Sequence, residues 1–338
     1  MSNLERDPAE VVVGRDGEAD GAPDAGAVAV LEADAVEILE PRDVPLGGPR
    51  AMTVRRTLPQ RRRSLIGGWC FIDHYGPDDV AVSGGMRVPP HPHTGLQTVS
   101  WLFEGEIEHR DSVGSHALVR PGELNLMTAG HGISHSEVST PQTSRLHGVQ
   151  LWVALPSASR DVAPFFEHHV PEVSRLGAAE VRAFVGSLAG SGTAASMFSP
   201  LVGAELLLAE GGEVEIPLDA TFEHGFLVDA GDVTIAGTPV PVAHLGYLRP
   251  GRDSVLVTAG PGGARLVLLG GEPLGERIVM WWNFIGRSHD DVVAARAQWQ
   301  REVIDGEDAS GRFGVVAGYD GRALPAPELP TVRLKPRG

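Results

Sequence analysis

Cysteine is nearly missing from this chain. Cys70 is the only one in 338 residues, so neither an intrachain disulfide nor a multi-thiolate zinc site can form. Its neighbours Trp69 and Phe71 mark it for plain burial. No segment approaches the ~20 consecutive apolar residues that a spanning helix needs, and the first residues lack the basic start and apolar block of a signal peptide. A cytoplasmic protein with no membrane partner is the expectation. Neither a Walker loop nor a dinucleotide glycine fingerprint is present. A surplus of positive charge is missing too: the formal charge is −16, which argues against direct contact with nucleic acid.

The chain is longer than one ordinary core needs, so two domains are expected. Its 43 Gly and 26 Pro favour many short strands and turns over long helices. Residues 1–40 hold eleven acids against Arg6 and Arg15, which leaves −7 for the remainder. This Gly/Ala/Asp-rich leader has no aromatic residue and reads as a solvated, disordered tail. One basic cluster, Arg50, Arg55, Arg56, Arg61, Arg62 and Arg63, reads as a solvated hairpin, since no aromatics interleave with it.

From Val54 onward, runs of Val, Leu, Ile and aromatics alternate with Gly and Pro, the pattern of strands in a sandwich or barrel. Thr98–Phe103, Glu104-Gly105-Glu106 and Ile107–Asp111 have the form of a hairpin. A second series of runs begins near Leu201 and echoes the first. Between them, Ser174–Ser199 is rich in Gly, Ala and Ser, so the junction is expected there. One helix is well signalled: Ser288 and Asp291 have capping-box spacing, and the helix should run to about Val303. Residues Gly306 to Gly338 read as an extended tail.

Pro89-Pro90-His91-Pro92-His93-Thr94-Gly95 carries the first chemical signal. Residues i and i+2 of a strand share a face, so His91 and His93 can aim at one point inside a barrel. With thirteen His in the chain, one such pair is not far from chance. Ile133-Ser134-His135-Ser136-Glu137 repeats the spacing some forty residues later, and two pairs on facing strands make a four-ligand pocket. Three imidazoles and a carboxylate suit a divalent first-row metal, and an octahedral ion would keep two positions open. The set resembles a two-His-one-carboxylate iron site with one added His; zinc can use the same ligands, although a closed structural zinc site would more often include Cys. A Ser-His couple at Ser134, His135 and Ser136 is geometrically poor, because adjacent strand residues face opposite ways. Trp281-Trp282 reads as packing.

His91-Pro92-His93-Thr94-Gly95-Leu96-Gln97-Thr98-Val99, Glu104-Gly105-Glu106, Glu108-His109-Arg110-Asp111-Ser112, Pro121-Gly122 and Met127 through Glu137 occur in this order. With Phe71 through Pro77 before them and His147 through Val153 after, they resemble the pirin family. The likeness is dense from Gly67 to Pro156 and thinner beyond, where Gly271-Glu272-Pro273-Leu274 is similar to the family's C-terminal domain. The resemblance implies an all-β bicupin: two tandem cupin (jelly-roll type) β-barrels with a C-terminal helix. The division expected is a leader over 1–40, a metal-binding barrel over 41–185, a barrel without metal ligands over 186–287, and helix and tail over 288–338. Residues 200–285 agree, holding only His224 and His244; His224 reads as a surface or satisfied histidine.

What the resemblance implies for function is Fe2+, with Mn, Ni, Co or Zn as substitutes, held by His91, His93, His135 and Glu137. It further implies activity of the quercetin 2,3-dioxygenase type, with a small aromatic enol and O2 as substrates. Glu137 is then the candidate base. The alternative is a metal- or redox-sensing regulator with a protein partner and no turnover; a structural zinc protein is a third reading. Gln97, His109, Asp111, His131 and His147 are candidates to orient the ligands, each equally suited to a structural hydrogen bond. Two positions depart from the family pattern: Gln97 stands where a Glu is usual, and His131 where Arg or Ser is common. Neither replaces a proposed ligand.

Overall fold

The computed structural model describes residues 35–46 and 52–338; the acidic leader through residue 34, and Arg50, lie outside the described residues. The chain folds as two similar units, each a large antiparallel sheet backed by a small one, with a helix after the second. This is the expected tandem cupin architecture. In the first unit the large sheet runs Phe165–His169, Leu124–Thr128, Leu96–Glu104, Arg145–Ala154, Trp69–Asp79, Met52–Leu58, Arg42–Leu46. Its small sheet runs Arg87–His93, Ile133–Ser139, Ile107–Asp111, His116–Val119.

The second unit repeats the order. Its small sheet runs Glu213–Pro217, Ser254–Ala259, Val233–Ile235, Thr238–Val240. The outer strand of its large sheet, Glu37–Leu39, comes from the start of the described chain and pairs with Leu245–Leu248. These three residues lie in the stretch read as leader. Ile38 and Leu39 are the apolar residues that charge counting passed over, and Leu39 is fully buried.

The large sheets face each other. Val99, Trp101, Leu126, Val149 and Leu151 of the first pack against Leu227, Leu245, Val267 and Leu269 of the second in one cluster of buried side chains. At ~1.5–3 kcal/mol for each large apolar side chain buried, this contact makes the two units one packed body. Because these side chains occupy one face of the first large sheet, the alternate residues of its strands point into the first barrel.

Two expectations change. Leu96–Glu104 and Ile107–Asp111 do not pair as a hairpin: the first lies in the large sheet and the second in the small one. Gly105 turns the corner between sheets at φ +91°, where an added Cβ would meet Arg145 O at 2.4 Å. The basic cluster is only partly solvated. Arg56 is buried against Asp73 with contacts of 2.6 and 2.8 Å and lies 4.3 Å from the Phe71 ring centroid. Arg63 reaches Glu37 and covers the Tyr247 ring, while Arg61 and Arg62 are exposed.

The helix spans His289–Trp299 with Ser288 as N-cap and the reciprocal bond to Asp291 in place, and it continues in a wider turn over Gln300–Ile304. The tail beyond is extended and pinned: Phe313, Ala326 and Leu334 join Trp282, Phe284 and Trp299 in a buried cluster. That cluster also accounts for Trp281-Trp282 as packing. The tail runs along the outside of the small sheet, where Ser134 Oγ donates to Phe313 O and Leu324 N donates to Pro90 O. Among the described residues, no helix is long and apolar enough to cross a membrane.

Candidate metal centre

Arg87–His93 and Ile133–Ser139 are neighbours in the small sheet, and their register sets His135 opposite His91 and Ile133 opposite His93. Gly95, just after the first pair, turns the chain at φ +69°, where a Cβ would sit 2.5 Å from Ile285 O. The histidines therefore enter the barrel on adjacent strands, fully buried. His93 Nε2 and His135 Nε2 are 3.1 Å apart, and the ring centroids of His91 and His135 are 4.4 Å apart. His91, His93 and His135 bring one ligand atom each within 4.8 Å of one another. Glu137 is gathered with His135 and His109 in a second, overlapping group of the same kind.

Hydrogen bonds select the tautomers. His91 Nδ1 lies 2.8 Å from Pro89 O, and a carbonyl only accepts, so Nδ1 carries the proton and Nε2 keeps its lone pair. That Nε2 is buried with no hydrogen-bond partner. His109 Nε2 lies 3.3 Å from Asp111 Oδ2, and His109 Nδ1 lies 3.3 Å from His135 Nδ1. With His109 Nε2–H donating to the carboxylate, its Nδ1 accepts from His135 Nδ1–H, and His135 Nε2 is left with a lone pair pointing inward. Asp111 is anchored by the Val113 and Ser115 amides at 3.1 and 2.8 Å.

Burial holds all three imidazoles neutral. It pushes His91 down to about 3. Burial first, then neighbouring imidazoles, push His93 and His135 well below the usual histidine range. Neutral imidazoles with inward lone pairs beside a carboxylate are what a divalent cation requires, so the residues present fit such an ion. The surrounding wall is aromatic: Trp152 stands edge-on to His93, Phe71 stacks on Trp152 at 4.0 Å, and Phe166 stacks on His109.

Two groups at the carboxylate carried no sequence signal. Ser100 Oγ is 3.2 Å from Glu137 Oε1 and 2.9 Å from Gln150 Oε1. A hydroxyl has one proton, so when Ser100 donates to Glu137, the Gln150 amide must turn its NH2 toward Ser100. In the orientation given, Gln150 Nε2 is buried without a partner, which favours the turned amide. Tyr75 is also fully buried; burial, then the charges of Glu137 and Asp73, raise its phenol well above the ordinary value.

Of the five orienting candidates, His109 and Asp111 adjoin the imidazoles. Gln97 does not: it shares its sheet face with Val99 and Trp101 and donates to Thr128 Oγ1 and Ser196 O, away from the barrel interior. The ring of His131 enters none of these hydrogen bonds, and its carbonyl accepts from Arg312. His147 belongs to a different cluster. Its Nε2 and that of His74 each lie 2.6 Å from Asp229 Oδ1, which comes from the second unit. Arg265 contacts Asp229 Oδ2 at 3.3 Å, and Arg55 lies 3.4 Å from His74 Nε2. The two guanidiniums oppose a cation there, and 2.6 Å is a hydrogen-bond distance. The cluster is a polar clamp between the units.

The family model described as Pirin matches residues 51–153, and the model described as Pirin C-terminal cupin domain matches residues 203–305. A Pseudomonas aeruginosa protein named provisionally as a quercetin 2,3-dioxygenase is 43% identical over 291 residues, 86% of this chain and 89% of that protein. A pirin-like protein of Caulobacter vibrioides is 35% identical over 286 residues, covering 81% and 94% of the two chains. The crystal structure of a quercetin 2,3-dioxygenase from Acinetobacter baumannii superposes with a TM-score of 0.82 at 37% identity, covering 88% of this chain and 97% of that one.

Proposed function

The chain belongs to the pirin family, and from that premise we propose that it holds one Fe2+ ion between His91, His93, His135 and Glu137 and cleaves a flavonol or related aromatic enol with O2. The observation that carries the reading is the trio of buried imidazoles with ligand atoms within 4.8 Å of one another, two of which, His91 and His135, are held by hydrogen bonds in the tautomer that leaves Nε2 its lone pair. The relatives named for quercetin 2,3-dioxygenase supply the substrate class.

When bound, the ion supplies Lewis acidity and a redox centre for the reaction of the enol with O2. The chain's own groups do the rest. Glu137 takes the enol proton on its carboxylate, while Ser100 holds Oε1 and so fixes the direction of Oε2. Gln150 holds Ser100 in turn. Trp152, Phe71 and Phe166 set flat apolar faces around the histidines, a surrounding that suits an aromatic ring and excludes water from a forming enolate. Asp111 and His109 keep His135 in the ligating tautomer throughout.

The test is metal analysis of the purified protein with O2 uptake measured on quercetin. Stoichiometric iron with O2 consumed in step with loss of the quercetin chromophore is expected. Iron without uptake would favour the sensing role instead, and zinc filling every position would favour a structural one.

A further inference from the structure

The small sheet of the second unit repeats the strands that carry the histidines, but with Val214 and Ile216, and Val255 and Val257, turned inward and buried. That apolar filling stops short of one end of the barrel. It leaves a cavity of about 290 Å³ lined by Leu188, Leu201, Val202, Leu218, Phe222 and Leu268, with His224 and Asp219 as its ionisable groups. Small-molecule sites typically measure about 300–1,000 Å³, so this one is sized for a single ring.

His224 was expected to be a satisfied or surface histidine, and it is neither. Only 1% of it is exposed, its ring nitrogens take part in no hydrogen bond among the described residues, and its nearest ring is Phe222 at 6.1 Å. Lining the cavity without a protein partner, the ring leaves one donor and one acceptor open to a partner from outside. Burial pushes His224 down to about 4, so it is neutral at pH 7 and offers one N–H and one lone pair. The Asp219 carboxylate on the same wall disfavours an anion.

We propose that this cavity is a second small-molecule site, for a neutral phenol whose ring lies among the leucines and Phe222 and whose hydroxyl pairs with His224. A phenol matches an imidazole because its oxygen both donates and accepts. The site owes nothing to the metal centre and stands whether or not that assignment holds.

The test uses the full chain and 4-methylphenol as probe, with toluene and benzoate as controls, read by the histidine ring resonances and by calorimetry. Saturable millimolar binding that shifts the His224 ring is expected, with benzoate excluded. His224→Leu should weaken 4-methylphenol by about tenfold, the worth of one buried hydrogen bond, while keeping toluene. Should His224→Leu misfold, Leu218→Trp, which fills the half-buried rim, should abolish binding of both. No saturable shift, unchanged affinity in the folded His224→Leu variant, or a soaked crystal with only water on His224 would overturn the proposal.

Discussion

Replacing Asp111 with asparagine should invert the tautomer chain that ends at His135. The asparagine keeps an oxygen for the Val113 and Ser115 amides, so the turn survives. Its NH2 replaces Oδ2 and faces His109 Nε2, which must then accept instead of donate. His109 Nδ1 becomes the protonated nitrogen and donates to His135 Nδ1, which drives the His135 proton to Nε2, where a metal would bind. Loss of such outer partners typically costs 10–100-fold in metal affinity. The two links here are long, each 3.3 Å, so the lower part of the range, about tenfold to thirtyfold or ~1.4–2 kcal/mol, is expected. Competition with a chromophoric chelator against Zn2+ or anaerobic Fe2+ measures it, with Asp111→Ala as reference. Asp111→Asn binding as tightly as the unaltered chain would refute the reasoning. So would equal losses in both variants with unfolding of the 111–115 turn.

Arg56→Ala leaves Asp73 charged and buried, so a loss of about 3–5 kcal/mol in unfolding free energy is expected by denaturant titration. Ser100→Ala should lower turnover on quercetin by about tenfold or more while metal content stays stoichiometric, since the bonds to Glu137 Oε1 and Gln150 are lost but no proposed ligand is removed. Asp229→Asn should cost about 2–4 kcal/mol and flatten the acid limb of stability. Burial alone would raise this carboxylate, but bonds from His147 and His74 prevail and hold it well below its ordinary range. Its folded value lies below the unfolded one, so its contribution is complete above about pH 4 and fades as pH falls toward the folded value. Thermal unfolding scans from pH 2 to 7 on both proteins check this.

Much of the candidate centre could be read from the chain because its signals are local. An i, i+2 pair on a strand is a geometric statement in three residues, and His91, His93, His135 and Glu137 each sit in one. Ser288 and Asp291 likewise announce a helix start within four positions. Ser100 and Gln150 were illegible for the opposite reason: they meet Glu137 across three strands, and both faces of Leu96–Glu104 are buried, so no polar alternation marks the inward one. The same two-sided burial hid the orientation of Gln97. Arg56 and Asp229 look like surface charges until the sheets bring Asp73 and the paired histidines to them. The unpartnered ring of His224 cannot be inferred at all, because an absence of partners is a property of the packed barrel.

The most direct test of the central claim is anomalous diffraction at the iron edge from crystals of anaerobically iron-loaded protein. One peak per chain is expected, within ligand distance of His91, His93, His135 and Glu137, and absent from a folded His91→Ala, His135→Ala double variant. A peak beside Asp229, His74 and His147 instead, or an unchanged peak in the double variant, would contradict it.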